Sequence, residues 1–171
     1  MHESVRGTSE LARILAIPRR GSSAEDFGRS IAPQLTALLK TPQGTQSLRA
    51  MQACALHDIG VYGGAFCPLG VGEGKTLITL LAPYVLNAQR PLLLLPANLI
   101  EKTERDRRRL SEHWRIPNNI RLFSYEMLGR VQSAGELEVY APDLILADEC
   151  HKLKNRHAAV TRRVTRWMKQ S

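Results

Sequence analysis

The chain predicts an open, three-layer α/β fold, a parallel sheet flanked by helices, with a helical extension at its start. Three observations carry this expectation. Apolar runs at 91–96, 120–124 and 143–149 have the length of strands and are bounded by prolines, polar residues or carboxylates. Helix-forming stretches separate them. A glycine-rich turn within residues 63–76 leads out of a short apolar run (Ala65, Phe66, Cys67), expected as a strand, and into a helix-forming one. Strands alternating with helices build parallel sheets through right-handed crossovers.

The first forty-five residues read as the extension and residues 46–171 as the sheet-bearing domain. A short helix is expected over 10–17, ending in a Pro-Arg-Arg-Gly-Ser break. Ser23 followed by Asp26 has the spacing of a capping box. Beyond it Phe27, Ile31, Leu35, Leu38 and Leu39 recur at helical spacing, and Pro33 marks a kink or the start of a second helix. Residues 48–56 form a further helix with Leu48, Met51 and Ala55 inward. A charged helix is expected over 97–114 and another from Tyr125. The last helix, from His157, has Val160, Val164, Trp167 and Met168 on one side and Arg162, Arg166 and Lys169 opposite.

At 171 residues the chain suffices for one domain with a core, and its 43% apolar content is that of a globular protein. Lys and Arg total 24 against 16 Asp and Glu, a net charge of +8 that favours polyanionic partners, most simply nucleic acid. Cys54, Cys67 and Cys150 lack metal-ligand spacing and read as reduced thiols. No secretion signal opens the sequence, and its longest apolar run is too short to span a bilayer. A soluble, intracellular protein without a membrane partner is the expectation.

Two motifs carry chemistry. In the first, Gly70, Gly72 and Gly74 let the backbone curl so that N–H groups point at phosphate oxygens. Lys75 brings a positive charge to the β and γ phosphates, and Thr76 offers a hydroxyl to Mg2+. Leu69 stands where the strict pattern has glycine. In the second, Asp148 and Glu149 end an apolar strand, at the sheet edge where ligands of such folds gather. Asp148 is suited to hold Mg2+ and Glu149 to polarise the water that attacks a γ-phosphate. His151 and Cys150 have no second pair with which to chelate zinc.

With these motifs in place, the sequence resembles the first RecA-like P-loop domain of superfamily 2 helicases and translocases, and within them the Swi/Snf-type branch. The resemblance runs from Leu48-Arg49-Ala50-Met51-Gln52 through the glycine loop. It continues over 92–99 and 124–128 to Asp148-Glu149-Cys150-His151-Lys152-Leu153-Lys154-Asn155. It implies ATP and Mg2+ as cofactors, with Gln52 reading adenine and Gly70, Gly72, Glu73, Gly74, Lys75 and Thr76 holding the nucleotide. Lys75, Asp148 and Glu149 would be catalytic, with Thr76 and Asp148 holding Mg2+. Asn98 and Lys102 would touch a nucleic-acid backbone, DNA before RNA. Family members continue into a second RecA-like domain bearing arginine fingers, expected here in cis beyond residue 171, so this chain alone should hydrolyse ATP poorly. An exposed apolar edge is expected where the remainder of the sheet would pack. The rival expectations are a non-catalytic nucleotide- or nucleic-acid-binding module, a truncated accessory subunit, and an unrelated phosphate-loop enzyme.

Overall fold

The structure is a computed structural model that describes residues 9–16, 23–70, 72–133 and 135–170. Helix α1 spans Ser9–Leu15; the break expected at residues 18–22 lies outside the described residues. Helix α2 (Ala24–Leu39) opens on Ser23, whose hydroxyl accepts the Asp26 amide at 3.0 Å and donates to its carboxylate at 2.7 Å. The N-cap half of the expected capping box is therefore present, while the Asp26 carboxylate takes the Ser23 hydroxyl and not its backbone N–H. A second helix does not start at Pro33, because α2 runs through it. Thr36 and Leu39, beyond the proline, are buried, and their packing outweighs the missing N–H.

Helix α3 (Ala50–Tyr62) lies against α2 at close range. A Cβ on Gly28 would sit 2.0 Å from the Ala50 carbonyl oxygen, so only glycine admits this crossing. Phe27 meets the His57 ring edge-on at 4.9 Å, and the Leu48 amide donates to Thr36 Oγ1 at 3.0 Å. Leu39, Leu56, Leu81 and Trp114 share one core, with Trp114 Nε1 bonded to Gln46 Oε1 at 3.0 Å. One face of α2 (Ile31, Ala32, Leu35 and Leu39) is therefore built into the core of the helices that follow.

Gly63, left-handed at φ 73°, ends α3. The strand expected at Ala65, Phe66 and Cys67 does not form. This stretch runs irregularly to the glycine loop and leaves Phe66 79% exposed. Neither a ladder partner nor burial holds it extended.

Helix α4 (Lys75–Val85) leads to strand β1 (Pro91–Leu95), which is buried along its whole length. A short 3-10 turn at Ala97–Leu99 precedes α5 (Ile100–Ser111), so the charged helix is shorter at both ends than its expected span. Strand β2 (Arg121–Ser124) follows, then α6 (Tyr125–Gly129), α7 (Glu136–Tyr140), β3 (Leu144–Ala147) and α8 (Ala159–Gln170). The three described strands are parallel in the order β2-β1-β3, with Leu94 opposite both Phe123 and Ala147.

Helices cover both faces of this sheet. Leu93 and Leu95 pack with Leu80 of α4 and with Ile100 and Leu110 of α5, whereas Leu92 and Leu94 pack with Leu128 of α6, Leu137 of α7 and Val164 of α8. The alternation follows from the two-residue period of a strand. Met168, expected inward, is 67% exposed. At about 100° per residue it lies about 80° round from Val160, on the margin of the stripe that Val160, Val164 and Trp167 turn to the core. Among the described residues no helix is long and apolar enough to cross a membrane.

Candidate nucleotide site

The glycine loop arrives at α4 in the conformation its sequence predicts, but through two of its three glycines. Gly72 and Gly74 are left-handed at φ 86° and 76°, while Gly70 is not. Gly74 is required twice over, since a Cβ there would also lie 2.1 Å from Gln52 Nε2. The first amides of α4 have no acceptor within the helix, and a helix terminus carries partial positive charge.

Lys75 and Thr76, the first residues of α4, are half-buried. The Lys75 ammonium donates to the carbonyls of Leu69 at 3.1 Å and Gly70 at 3.3 Å, folding back on its own loop. Reaching a phosphate would exchange these two bonds for charged ones.

On the opposite wall, β3 delivers the carboxylates. The Asp148 amide donates to the Leu94 carbonyl at 2.9 Å, which carries the ladder one bond past the strand. The chain then turns sharply, with Glu149 left-handed at φ 55° and its amide on Asp148 Oδ1 at 3.0 Å. A non-glycine residue held there stores strain, of order 1–3 kcal/mol, of the kind that collects at functional turns. Glu149 Oε2 lies 3.2 Å from His151 Nδ1, and Tyr125 Oη donates to the Asp148 carbonyl at 2.6 Å.

Burial, then the nearby charges of Cys150, Asp148, Glu149 and Glu126, pushes the Tyr125 phenol well above its ordinary range. Tyr125 is thus a fixed donor that pins the carboxylate turn. Burial, with Asp58 and Cys54 behind it, likewise pushes the Cys67 thiol up, so this cysteine is a poor nucleophile at neutral pH.

A cavity of about 400 Å³ separates the two walls, lined by Lys75, Asp148 and Glu149 together with Leu69 and the β3 residues Ile145 and Leu146. A second, of about 470 Å³, lies on the far side of the loop and is lined by Gln52, Gly74, Thr76, Arg49, Asp106 and Arg109. The predicted residues are therefore divided. Lys75 shares a cavity with both carboxylates; Thr76 and Gln52 share the other.

Gln52 is buried and engaged at both ends of its amide. Oε1 accepts the Arg49 amide at 2.9 Å and Nε2 donates to the Glu73 carbonyl at 3.4 Å. Asn98 and Lys102 are exposed beyond the end of β1, and Lys102 pairs with Asp106 at 3.5 Å. Of the basic residues on α5, Arg107 turns inward to the Ile120 carbonyl and Glu104, leaving Arg105, Arg108 and Arg109 on the surface, the last paired with Asp106 at 3.3 Å.

Sequence reasoning missed Arg49, Tyr125 and the pairing of His151 with Glu149. Arg49 had a faint signal, three residues before Gln52 at a helix start. Tyr125 had none, because it meets Asp148 only through the sheet. The carboxylate of Asp148 suits Mg2+ and the loop glycines with the α4 terminus suit a polyphosphate, so the residues around Lys75 fit a magnesium-bound phosphate chain, while Thr76 and Gln52 open onto the other cavity. No family model, curated protein or solved structure matches the chain.

Proposed function

We propose that this chain is the ATP-binding, RecA-like first domain of a nucleic-acid-dependent ATPase of helicase or translocase type. One observation carries the reading: Lys75, at the start of α4, and the Asp148-Glu149 pair, at the end of β3, line a single cavity at the carboxyl edge of a parallel sheet.

The loop and α4 amides bind the phosphates and Lys75 adds its charge. To read the adenine edge, Gln52 would exchange the bonds that its amide makes with Arg49 and Glu73 for bonds to the base. Asp148 would hold Mg2+, which when bound would offset the phosphate charge; Thr76, which lines the other cavity, would have to turn toward Asp148 to join it. Glu149 orients the attacking water and accepts its proton at the carboxylate. Among the described residues that line this cavity there is no arginine. An arginine supplied from outside can be worth ~10³–10⁵ in rate, so hydrolysis by this chain alone is slow and a second domain completes the site. The same observation favours, as a second reading, a module that binds nucleotide without turning it over.

The net charge of +8 and the exposed Asn98, Lys102, Arg105 and Arg108 support nucleic acid as the partner. The Swi/Snf-type resemblance is what favours duplex DNA over RNA. Calorimetric titration with Mg·ATP and Mg·GTP, beside Lys75→Ala, tests the reading. ATP should bind more tightly than GTP, and the variant should lose at least about tenfold in affinity for both. Equal silence of wild type and variant would overturn it.

A further inference from the structure

The geometry points to a latch between the start of α3 and the phosphate loop, in which Arg49 and Gln52 set the shape of the loop itself. This rests on the nucleotide reading but is a separate duty from base recognition.

Arg49 is the last residue before α3, in extended conformation, and its guanidinium Nη1 donates to the Gly72 carbonyl at 2.7 Å. Three residues on, Gln52 Nε2 donates to the carbonyl of Glu73, the next residue of the loop. Gln52 is itself held, because Oε1 caps the free amide of Arg49 at 2.9 Å. Two consecutive loop carbonyls are thus pulled toward α3.

A peptide unit is planar, so fixing a carbonyl direction also fixes the N–H of the following residue on the opposite side. Holding Gly72 and Glu73 by their oxygens therefore aims the amides of Glu73 and Gly74 away from α3. These are the amides a phosphate would need. The latch also explains the sequence at 74. The Gln52 amide fills the space a side chain would take, 2.1 Å from a Cβ placed there.

The bond from Arg49 is charge-assisted and so stronger than a neutral one. The Gln52 bond is longer, at 3.4 Å, but lies in a buried setting where leaving the amide unpaired is costly. Arg49 and Gln52 are positioning residues in this scheme. They act on bound phosphate through the backbone of residues 72–74, and the effect should be blind to the base.

Two measurements on the whole chain decide it. The first is backbone 15N relaxation without nucleotide, comparing wild type with Arg49→Ala, Arg49→Lys and Gln52→Ala. The order parameters of the Glu73 and Gly74 amides should fall from about 0.85 toward about 0.6 in both alanine variants, and less in Arg49→Lys, with β1 unchanged. Unaltered order parameters at both amides in both alanine variants would overturn the latch, even if the wild type bound no nucleotide and the functional reading failed. A fall in β1 as large as that in the loop, in both alanine variants, would make the effect a general loosening of the fold and would equally overturn it.

The second measurement is titration with inorganic tripolyphosphate, Mg·ATP and Mg·GTP. Arg49→Ala should weaken all three by a similar factor, about tenfold, and leave the ATP-to-GTP ratio unchanged. Gln52→Ala should weaken tripolyphosphate too, although that ligand has no base. A Gln52→Ala variant that loses ATP affinity alone, with tripolyphosphate untouched, would make the glutamine a base reader and no latch.

Discussion

Strands β1 and β3 run side by side with similar composition, and they live in different worlds. β1 is paired on both edges and buried on both faces, so every leucine in it touches a helix or another strand. Among the described residues β3 is paired with β1 alone; its side chains are half-buried and Ala147 is exposed. The fold rests on the first strand and the candidate chemistry hangs from the end of the second. A turn that presents adjacent carboxylates needs backbone that can be bent into an unusual conformation, as at Glu149. An edge strand allows this where a central one would not.

The sharpest way to break the contrast is to make the same cut in both strands. Leu94→Ala removes a side chain with 0% exposure from the middle of the core and should cost about 2–5 kcal/mol in urea unfolding. Leu146→Ala, in a partly exposed position, should cost about half as much. Equal losses would mean that β3 is as deeply supported as β1.

Tyr125 sharpens it next, because its hydroxyl is what ties the turn after β3 to the rest of the fold. Tyr125→Phe should lose about 1 kcal/mol. Its raised phenol also fixes a sign. The folded state favours the neutral form, so the stabilisation is complete below about pH 10 and drains away as pH rises from there toward the folded value. Wild type should therefore lose stability above about pH 10 more steeply than Tyr125→Phe, as read by urea midpoints across that range. Parallel curves would show that this phenol does not feel the turn.

The smallest effect lies beyond both strands. Lys102→Ala breaks an exposed pair with Asp106 and should change stability by no more than about 0.5 kcal/mol. In the same variant a salt-dependent affinity for duplex DNA should fall, if Lys102 lies on the nucleic-acid face.

What could be read from sequence, and what could not, divides along the same line. The Leu92–Leu95 run announced a strand buried on both faces because nothing but burial explains four consecutive leucines between prolines. The Ser23 cap, the Ser124–Tyr125 transition into α6 and the glycine loop were legible because each is a local device, settled within four residues. Residues 65–67 misled because a strand is not a local object: its apolar residues suit a sheet, yet no neighbouring strand is placed to take them up. Met168 misled by its position on the margin of a stripe whose width depends on what packs against it. Within the site, sequence placed Lys75 and the two carboxylates together and missed that Thr76 and Gln52 look into a different cavity. Which side of a loop a residue faces is decided by the left-handed turns at Gly72 and Gly74, and no spacing rule encodes that.

Gly74 separates two demands that biology usually presents as one. Its φ of 76° is the mirror image of an ordinary residue's conformation, and the Gln52 amide stands where an L side chain would point. A D-alanine at this position would be at home in the backbone conformation and would direct its methyl to the other hydrogen's side, leaving the glutamine's place open. The loop is in this sense a right-handed molecule's brief passage through left-handed space, guarded on one side by an amide. Handedness, more than size, is what the glycine at this position supplies.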